Sequence, residues 1–341
     1  MTKFNRRDFL RISAGVLGWA TLGELLAACG REISATSQST FPTLSPIKTA
    51  GAAASTLPAM TTAPSAAATQ AYLPDLAVTR SGEPEDLVRR AVAALGGMER
   101  FVAKGANVIV KPNICVAYNT YEYAATTNPW VVGTLVKMCF EAGASKVQVM
   151  DFPFGGTAQA AYAISGIKEH VEAAGGEMVE MSMLKYVTTA IPNAGRLNQV
   201  NLFGDILKAD TLINVPIAKV HSLSRLTLGM KNLMGLVRDR PVLHAHLSQN
   251  LADITSLIKP RLTVVDAVRV LVSNGPTGGS LDDVKRLDTV IASPDIVAAD
   301  SYAATLFGLK PEDLGYIVAG AKMGLGRSDL QNLRIEEIAV S

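Results

Sequence analysis

The chain predicts an α/β fold, a largely parallel sheet flanked by helices and preceded by a disordered tether. Three observations carry that reading. Short runs of β-branched and apolar residues alternate with longer helix-like stretches from Asn107 to Ala321, the order that builds parallel sheets through crossover helices. Several of the strand-like runs are apolar at nearly every position, as strands covered on both faces are. From Gly30 to Ala71 the chain is mostly Ser, Thr, Ala and Pro, with too little apolar surface to offset the entropy of ordering it.

Of the 341 residues, 48% are hydrophobic and 18% charged, enough for one large α/β domain or two ordinary ones. No repeat and no clean inner boundary is visible, so the chain divides into residues 1–28, 29–75 and 76–341. Residues 76–341 are then the α/β domain. Without residues 1–28 the charges balance at 28 cations and 28 anions. A neutral mature chain gives no reason to expect a nucleic-acid partner.

Residues 1–28 read as an address. Asn5-Arg6-Arg7-Asp8-Phe9-Leu10 is a twin-arginine pattern, followed by a moderately apolar stretch too short and weak for a permanent span. Leu26-Ala27-Ala28-Cys29 resembles a lipobox, in which the Cys29 thiol takes a lipid and becomes the new N-terminus. An ordinary cleavage site beside an incidental cysteine is the alternative. The expected setting is the outer face of the cytoplasmic membrane or the cell envelope. The export machinery, and a membrane reached through the lipid anchor, are the expected partners. After Cys29 only Cys115 and Cys139 remain. Two thiols cannot hold an iron–sulfur cluster, and no c-type haem motif exists. Cys139 reads as a small core residue, although a bridge to Cys115 would suit an oxidising compartment.

In order, Pro84–Leu95 is expected to be a helix with acids in its first turn and Gly96-Gly97 closing it. Asn107–Asn113 is a strand ending in a polar turn, and Asn128-Pro129 caps a helix running to Gly143. Lys146–Asp151 is a strand, Ala160–Ala174 a helix and Glu177–Met181 a strand. Tyr186–Phe203 is loosely extended. Leu247–Ile258 is a helix, Arg261–Asp266 and Thr289–Ala292 are buried strands, and helices Ile296–Phe307 and Pro311–Ala321 complete the core.

The most informative run is Asp210–Gly235. It opens as a buried strand that Pro216 interrupts. Lys219 and His221 follow two apart, so an extended backbone points both to one face. Lys231-Asn232 then sits in an otherwise apolar segment, with Arg225 nearby. Each cation alone reads as a snorkelling side chain and the histidine as a core residue. Together they suggest a cation-lined pocket for a carboxylate or phosphate. Lys111, Asp151, Asp266 and Asp295 end other apolar strands, where open parallel sheets place their ligand crevice. Asn113 follows the rigid Pro112, and Thr127 is either an anion contact or part of a helix cap. Asp266, desolvated unless paired, could act as a base or hold a lysine or a metal. Asp300, mid-helix and apolar in context, needs a partner for which the cations are candidates. His244 and His246 are the one close histidine pair, a weak metal signal. Asn274–Gly279 is a Gly-rich loop without a P-loop's Lys-Ser/Thr.

Asn214-Val215-Pro216-Ile217-Ala218-Lys219-Val220-His221 and Thr227-Leu228-Gly229-Met230-Lys231-Asn232-Leu233-Met234-Gly235 resemble the signature of the domain-of-unknown-function 362 family. Supporting blocks are Val110–Asn113, Val265-Asp266, Gly275–Thr277 and Ser293–Asp295 with Asp300. Some members look ferredoxin-fused, and this chain carries no such part. The paired lysine and histidine in an α/β setting also resemble the nickel-pincer lactate racemases, without a clean alignment of blocks. That likeness implies racemisation or hydride chemistry.

The leading expectation is an extracytoplasmic enzyme, or enzyme-like binder, acting on a small anionic metabolite. Lys111, Asn113, Thr127, Arg225, Lys231, Asn232 and Asp300 would bind it, and His221, Lys219 and Asp266 would carry the chemistry. Any cofactor is unknown, with a divalent metal left open. The alternative is a non-catalytic lipoprotein that binds a solute or assists envelope assembly.

Overall fold

The computed structural model describes residues 73–340. The twin-arginine segment, Cys29 and all but the last three residues of the expected tether lie outside the described residues. Asp75, at the end of that range, already belongs to the folded part: it accepts the Arg334 N–H at 2.9 Å and pairs with Arg327 and Arg334.

In chain order the first half forms β1 (Leu76–Arg80), α1 (Pro84–Ala94), β2 (Asn107–Pro112), α2 (Pro129–Glu141), β3 (Lys146–Val149), α3 (Ala158–Ile164), α4 (Ile167–Ala173), β4 (Glu177–Met178), β5 (Tyr186–Ala190) and β6 (Gln199–Phe203). Then come β7 (Thr211–Val215), β8 (Ile217–His221), β9 (Arg225–Thr227), α5 (Gly229–Asn232), α6 (Arg240–His244), α7 (Leu247–Ile258), β10 (Leu262–Leu271), β11 (Val284–Ser293), α8 (Ile296–Thr305), α9 (Gly315–Lys322) and β12 (Ile335–Ala339).

The main sheet runs β12-β1-β11-β10-β7-β2-β3-β4. From β10 to β4 every pairing is parallel, whereas β11 is antiparallel to both β10 and β1. Alternate residues of one strand enter different apolar cores: Val108 and Val110 join one, and Ile109 the other. Both faces are therefore covered, which explains the unbroken apolar runs. The Tyr186–Phe203 stretch is a separate antiparallel hairpin, β5–β6.

Local chemistry accounts for the helix ends. Pro84 starts α1 with Glu85 and Asp86 in its first turn, and Gly96 and Gly97 leave it at φ 97° and 85°. The Asn128 side chain caps α2 at the Trp130 N–H. The single helix expected over Ala160–Ala174 is instead α3 and α4, divided at Gly166 in the left-handed region at φ 75°. The expected Glu177–Met181 strand shrinks to β4. Strands β10 and β11 run to ten residues each, and β1 and β12 add a parallel pair that the sequence pattern did not reveal.

Pro216 has a larger effect than ending a strand. Lacking an N–H, it breaks the ladder, yet its carbonyl accepts the Asp266 N–H at 2.8 Å. The chain then resumes as β8 further along β10, with Ile217 opposite Asp266. Two expectations about strand ends fail. Asp266 lies in the middle of β10, and Asp295 follows an antiparallel strand, so it sits at the opposite end of the sheet from the carboxyl ends of β2, β3 and β7. There it caps α8 at the Ala298 N–H. Cys115 and Cys139 are both buried and free. Among the described residues no helix is long and apolar enough to cross a membrane.

Candidate functional site

Residues at or just past the carboxyl ends of β2, β3 and β8 close around a cavity of about 280 Å³. Lys111, Asn113, Asp151, Lys219, His221, Lys231, Asn232 and Arg240 supply its polar lining, and Phe152, Phe154, Leu223 and Met234 supply apolar wall.

Two of the lysines are bonded to saturation. Lys111 Nζ meets Asp151 Oδ1 at 2.9 Å, Asn232 Oδ1 at 2.8 Å and the Pro112 carbonyl at 2.8 Å. Lys219 Nζ meets Asn113 Oδ1 at 3.1 Å, Cys115 Sγ at 3.2 Å and the carbonyls of Ala125 and Pro276 at 2.5 and 2.9 Å. An ammonium only donates, so each amide oxygen must face its lysine. Asn113 Nδ2 is thereby turned onto Asn232 Oδ1 at 3.0 Å, and Asn232 Nδ2 onto Asn214 Oδ1 at 2.9 Å. The amides form an oriented bridge between the two cations.

Glycines make that bridge sterically possible. A Cβ on Gly235 would sit 1.9 Å from Asp151 Oδ1 and 2.7 Å from Lys111 Nζ. One on Gly275 would sit 1.9 Å from the Val220 carbonyl, so only glycine lets this loop lie on β8 and bring the Pro276 carbonyl to Lys219. The Gly-rich loop is thus part of the site's wall.

Lys231 differs from the other two lysines. It is 9% exposed, lines the cavity, and makes no side-chain hydrogen bond or ion pair among the described residues. Burial, then the charges of Lys219 and Arg240, pull its ammonium down to about 8. Burial also lowers Lys111 to about 8, against the opposing pull of Asp151. His221 is lowered to about 3 by burial and then by Lys231 and Lys219, so it is neutral at physiological pH. Its Nδ1 accepts the Leu223 N–H at 3.0 Å, which leaves the proton on Nε2. In this state His221 offers a donor and no free lone pair.

The predicted site residues separate into two groups. Lys111, Asn113, Lys219, His221, Lys231 and Asn232 come together at the cavity. Thr127, Arg225, Asp266 and Asp300 do not line it. Thr127 Oγ accepts the Asn113 N–H and donates to the Val215 carbonyl, both at 2.8 Å, fastening the turn after β2 to β7. Alternation along β8 sends Lys219 and His221 to the cavity and Val220 to a different groove. Arg225, at φ 63°, lines that groove and pairs with Asp313. Asp266 accepts the N–H groups of Asn128 and Val268 at 2.7 and 3.0 Å, and burial raises it to about 6. Asp300 accepts those of Gly229 and Met230 at 2.6 and 2.9 Å, capping α5 from outside, and burial raises it to about 7. Their partners are main-chain donors, not the cations.

Sequence reasoning missed Arg240, which stacks on Phe152 at 4.9 Å and donates to its carbonyl. Within Arg238-Asp239-Arg240 it reads as solvated loop charge, and only tertiary packing buries it. His244 lines the cavity, while exposed His246 does not. Among the described residues no three His, Cys, Asp or Glu side chains are placed to hold a metal. Asp151, the one carboxylate in the lining, is already committed to Lys111, so this donor set does not fit a divalent cation.

A family model described as Domain of unknown function (DUF362) matches residues 108–305, which span the cavity's residues. A thylakoid-associated protein of Synechocystis sp. is 28% identical over 247 residues, covering 70% of this chain and 74% of that protein. Among solved structures, the lactate racemase apoprotein of Thermoanaerobacterium thermosaccharolyticum is similar with a TM-score of 0.41 at 13% identity, covering 62% of this chain and 53% of that one. A Thermotoga maritima protein is similar with a TM-score of 0.42 at 12% identity, covering 67% and 60% respectively. The chain therefore spans a little over half the length of these two.

Proposed function

The chain belongs to the DUF362 family, and we propose that its cavity binds a small metabolite bearing a carboxylate or phosphate and acts on it. One observation carries the proposal. Lys219, Lys231 and Arg240 line the cavity without a carboxylate partner, and the single acidic side chain there is held by Lys111. Excess positive charge in a partly enclosed space favours an anion, and charge-assisted hydrogen bonds orient it. His221 then donates Nε2–H to an oxygen on which charge develops. Asp266, expected as a base, does not line the cavity and takes no part in this scheme.

Thermal-shift titration with inorganic phosphate, oxalate and pyruvate tests the binding step. The wild type is stabilised by at least one of these, and Lys219→Met and Lys231→Met each weaken that affinity by about tenfold or more. No stabilisation by any of the three sinks the reading. His221→Leu, which removes the Nε2–H donor, keeps the affinity and loses turnover.

The rival reading, a non-catalytic solute-binding or envelope-assembly lipoprotein, draws support from the engagement of Asp266 away from the cavity. Retained binding with no turnover on any bound anion favours it. For either reading we place the protein at a membrane surface, exported by the twin-arginine route and anchored through lipidated Cys29. The thylakoid association in the Synechocystis relative's name supports a membrane setting. Cys29→Ser releases the protein into the soluble fraction if the anchor is real, and leaves it in the membrane fraction if it is not.

A further inference from the structure

We propose that Lys231 is a nucleophilic amine that forms an imine with the carbonyl group of a 2-oxo carboxylate held in the cavity. The proposal rests on the anion-binding reading of this site and goes further by assigning a substrate class and a covalent step.

Three lysines share the cavity lining and differ in how they are bonded. Lys111 has three acceptors for its three N–H bonds, and Lys219 has four acceptors around it. Deprotonating either would break bonds that nothing else replaces, leaving buried acceptors unsatisfied. Among the described residues Lys231 has no side-chain bond to lose. Of the three it is therefore the amine most easily made neutral. Its surroundings act in the same direction: burial dominates, and the charges of Lys219 and then Arg240 add to it.

The same neighbours select the ligand. With Lys231 neutral, Lys219 and Arg240 still present positive charge for a carboxylate. A carbonyl adjacent to that carboxylate stays close to it, as a cavity of about 280 Å³ requires. His221 Nε2–H is a neutral donor for the carbonyl oxygen, and Phe152 and the buried Met234 give part of the wall an apolar surface.

The step balances without an oxidant or reductant. The amine lone pair forms the N–C bond while the carbonyl π pair moves to oxygen. One N–H proton passes to that oxygen to give the carbinolamine. The second N–H proton leaves with the hydroxyl as water, and the C=N bond remains.

The test incubates the purified full-length chain with pyruvate and sodium cyanoborohydride at about pH 8, where Lys231 is partly neutral. Intact-mass and peptide analysis then locate the reduced adduct. The expected result is one adduct per chain at Lys231, at least about tenfold above any other lysine and about tenfold above the yield with acetone, which lacks the carboxylate. The adduct is absent in Lys231→Arg, which keeps the charge. Labelling spread over surface lysines, or equal with acetone, overturns the proposal. Thermal shifts separate the two failures. Stabilisation by pyruvate without an adduct removes the imine and leaves the anion site standing. No stabilisation by pyruvate, phosphate or oxalate, and no adduct, removes both.

Discussion

Asp253, Asp266 and Asp300 are as deeply buried as Lys111 and Lys219, yet the two sets of charge do different work. Each carboxylate accepts main-chain N–H groups. Asp253 takes those of Gly195, Arg196 and Leu197, Asp266 those of Asn128 and Val268, and Asp300 those of Gly229 and Met230. These acids tie a loop, a helix start and a short helix into the fold. The cavity cations are held by amides, carbonyls and, at Lys111, the Asp151 carboxylate, and still line open space; among the described residues Lys231 makes no side-chain bond. Burial of a charge does not by itself nominate a functional group. The capacity left after its hydrogen bonds are counted does.

The largest expected effect tests the saturated end of that contrast. Gly235→Ala drives a methyl group into the Lys111–Asp151 pair, and breaking a buried pair costs about 3–5 kcal/mol, read as a fall in the denaturation midpoint. Asp266→Asn comes next, with a loss of about 1–3 kcal/mol for a main-chain donor left unmatched. Its affinity for oxalate or phosphate should stay unchanged, and a normally stable variant with no turnover would return Asp266 to the chemistry. Lys231→Met reverses the pattern. It removes an unpaired buried charge, so stability holds or rises while anion affinity falls.

A pH series sharpens this further. The folded-state pKa of Lys231 is lowered from 10.5 to about 8, so above pH 8 the unfolded chain binds more protons than the folded one. The contribution of Lys231 to stability therefore becomes more favourable as pH rises from about 8 toward 10.5, while its contribution to anion affinity declines through about 8. Subtracting Lys231→Met from wild type isolates both slopes. A flat difference between pH 8 and 9 would mean the lysine is not perturbed. The smallest effect belongs to Arg225→Ala, which should leave anion affinity at the cavity unaltered because Arg225 faces another groove.

Much of the site was legible in one run of sequence. Lys219 and His221, two apart on an extended segment, do share a face, and Lys231-Asn232 stands out because amide and ammonium groups are rare in an apolar run. The errors share one cause. A buried carboxylate needs a partner, which is why Asp266 reads as a base or a partner for a lysine or a metal and Asp300 as a partner for the cations; main-chain N–H groups, which they accept instead, are invisible to a side-chain pattern. Arg225 was included for its place beside His221, but its backbone turns the guanidinium toward Asp313. Arg240 was overlooked because its charge reads as solvated until Phe152 covers it.

By itself the sequence determined the fold class, the two-sided burial of the central strands and most helix starts. Those depend on periodicity, caps, prolines and glycines acting over a few residues. Which charges meet was decided by the tertiary structure alone. Lys111 and Asn232 are 121 residues apart and touch at 2.8 Å, because Pro216 shifts the chain along β10 and Asp300 holds the start of α5. Hydrogen-bond partnership at that range depends on sheet order and register, and these leave two cavity lysines saturated and Lys231 without a side-chain partner among the described residues.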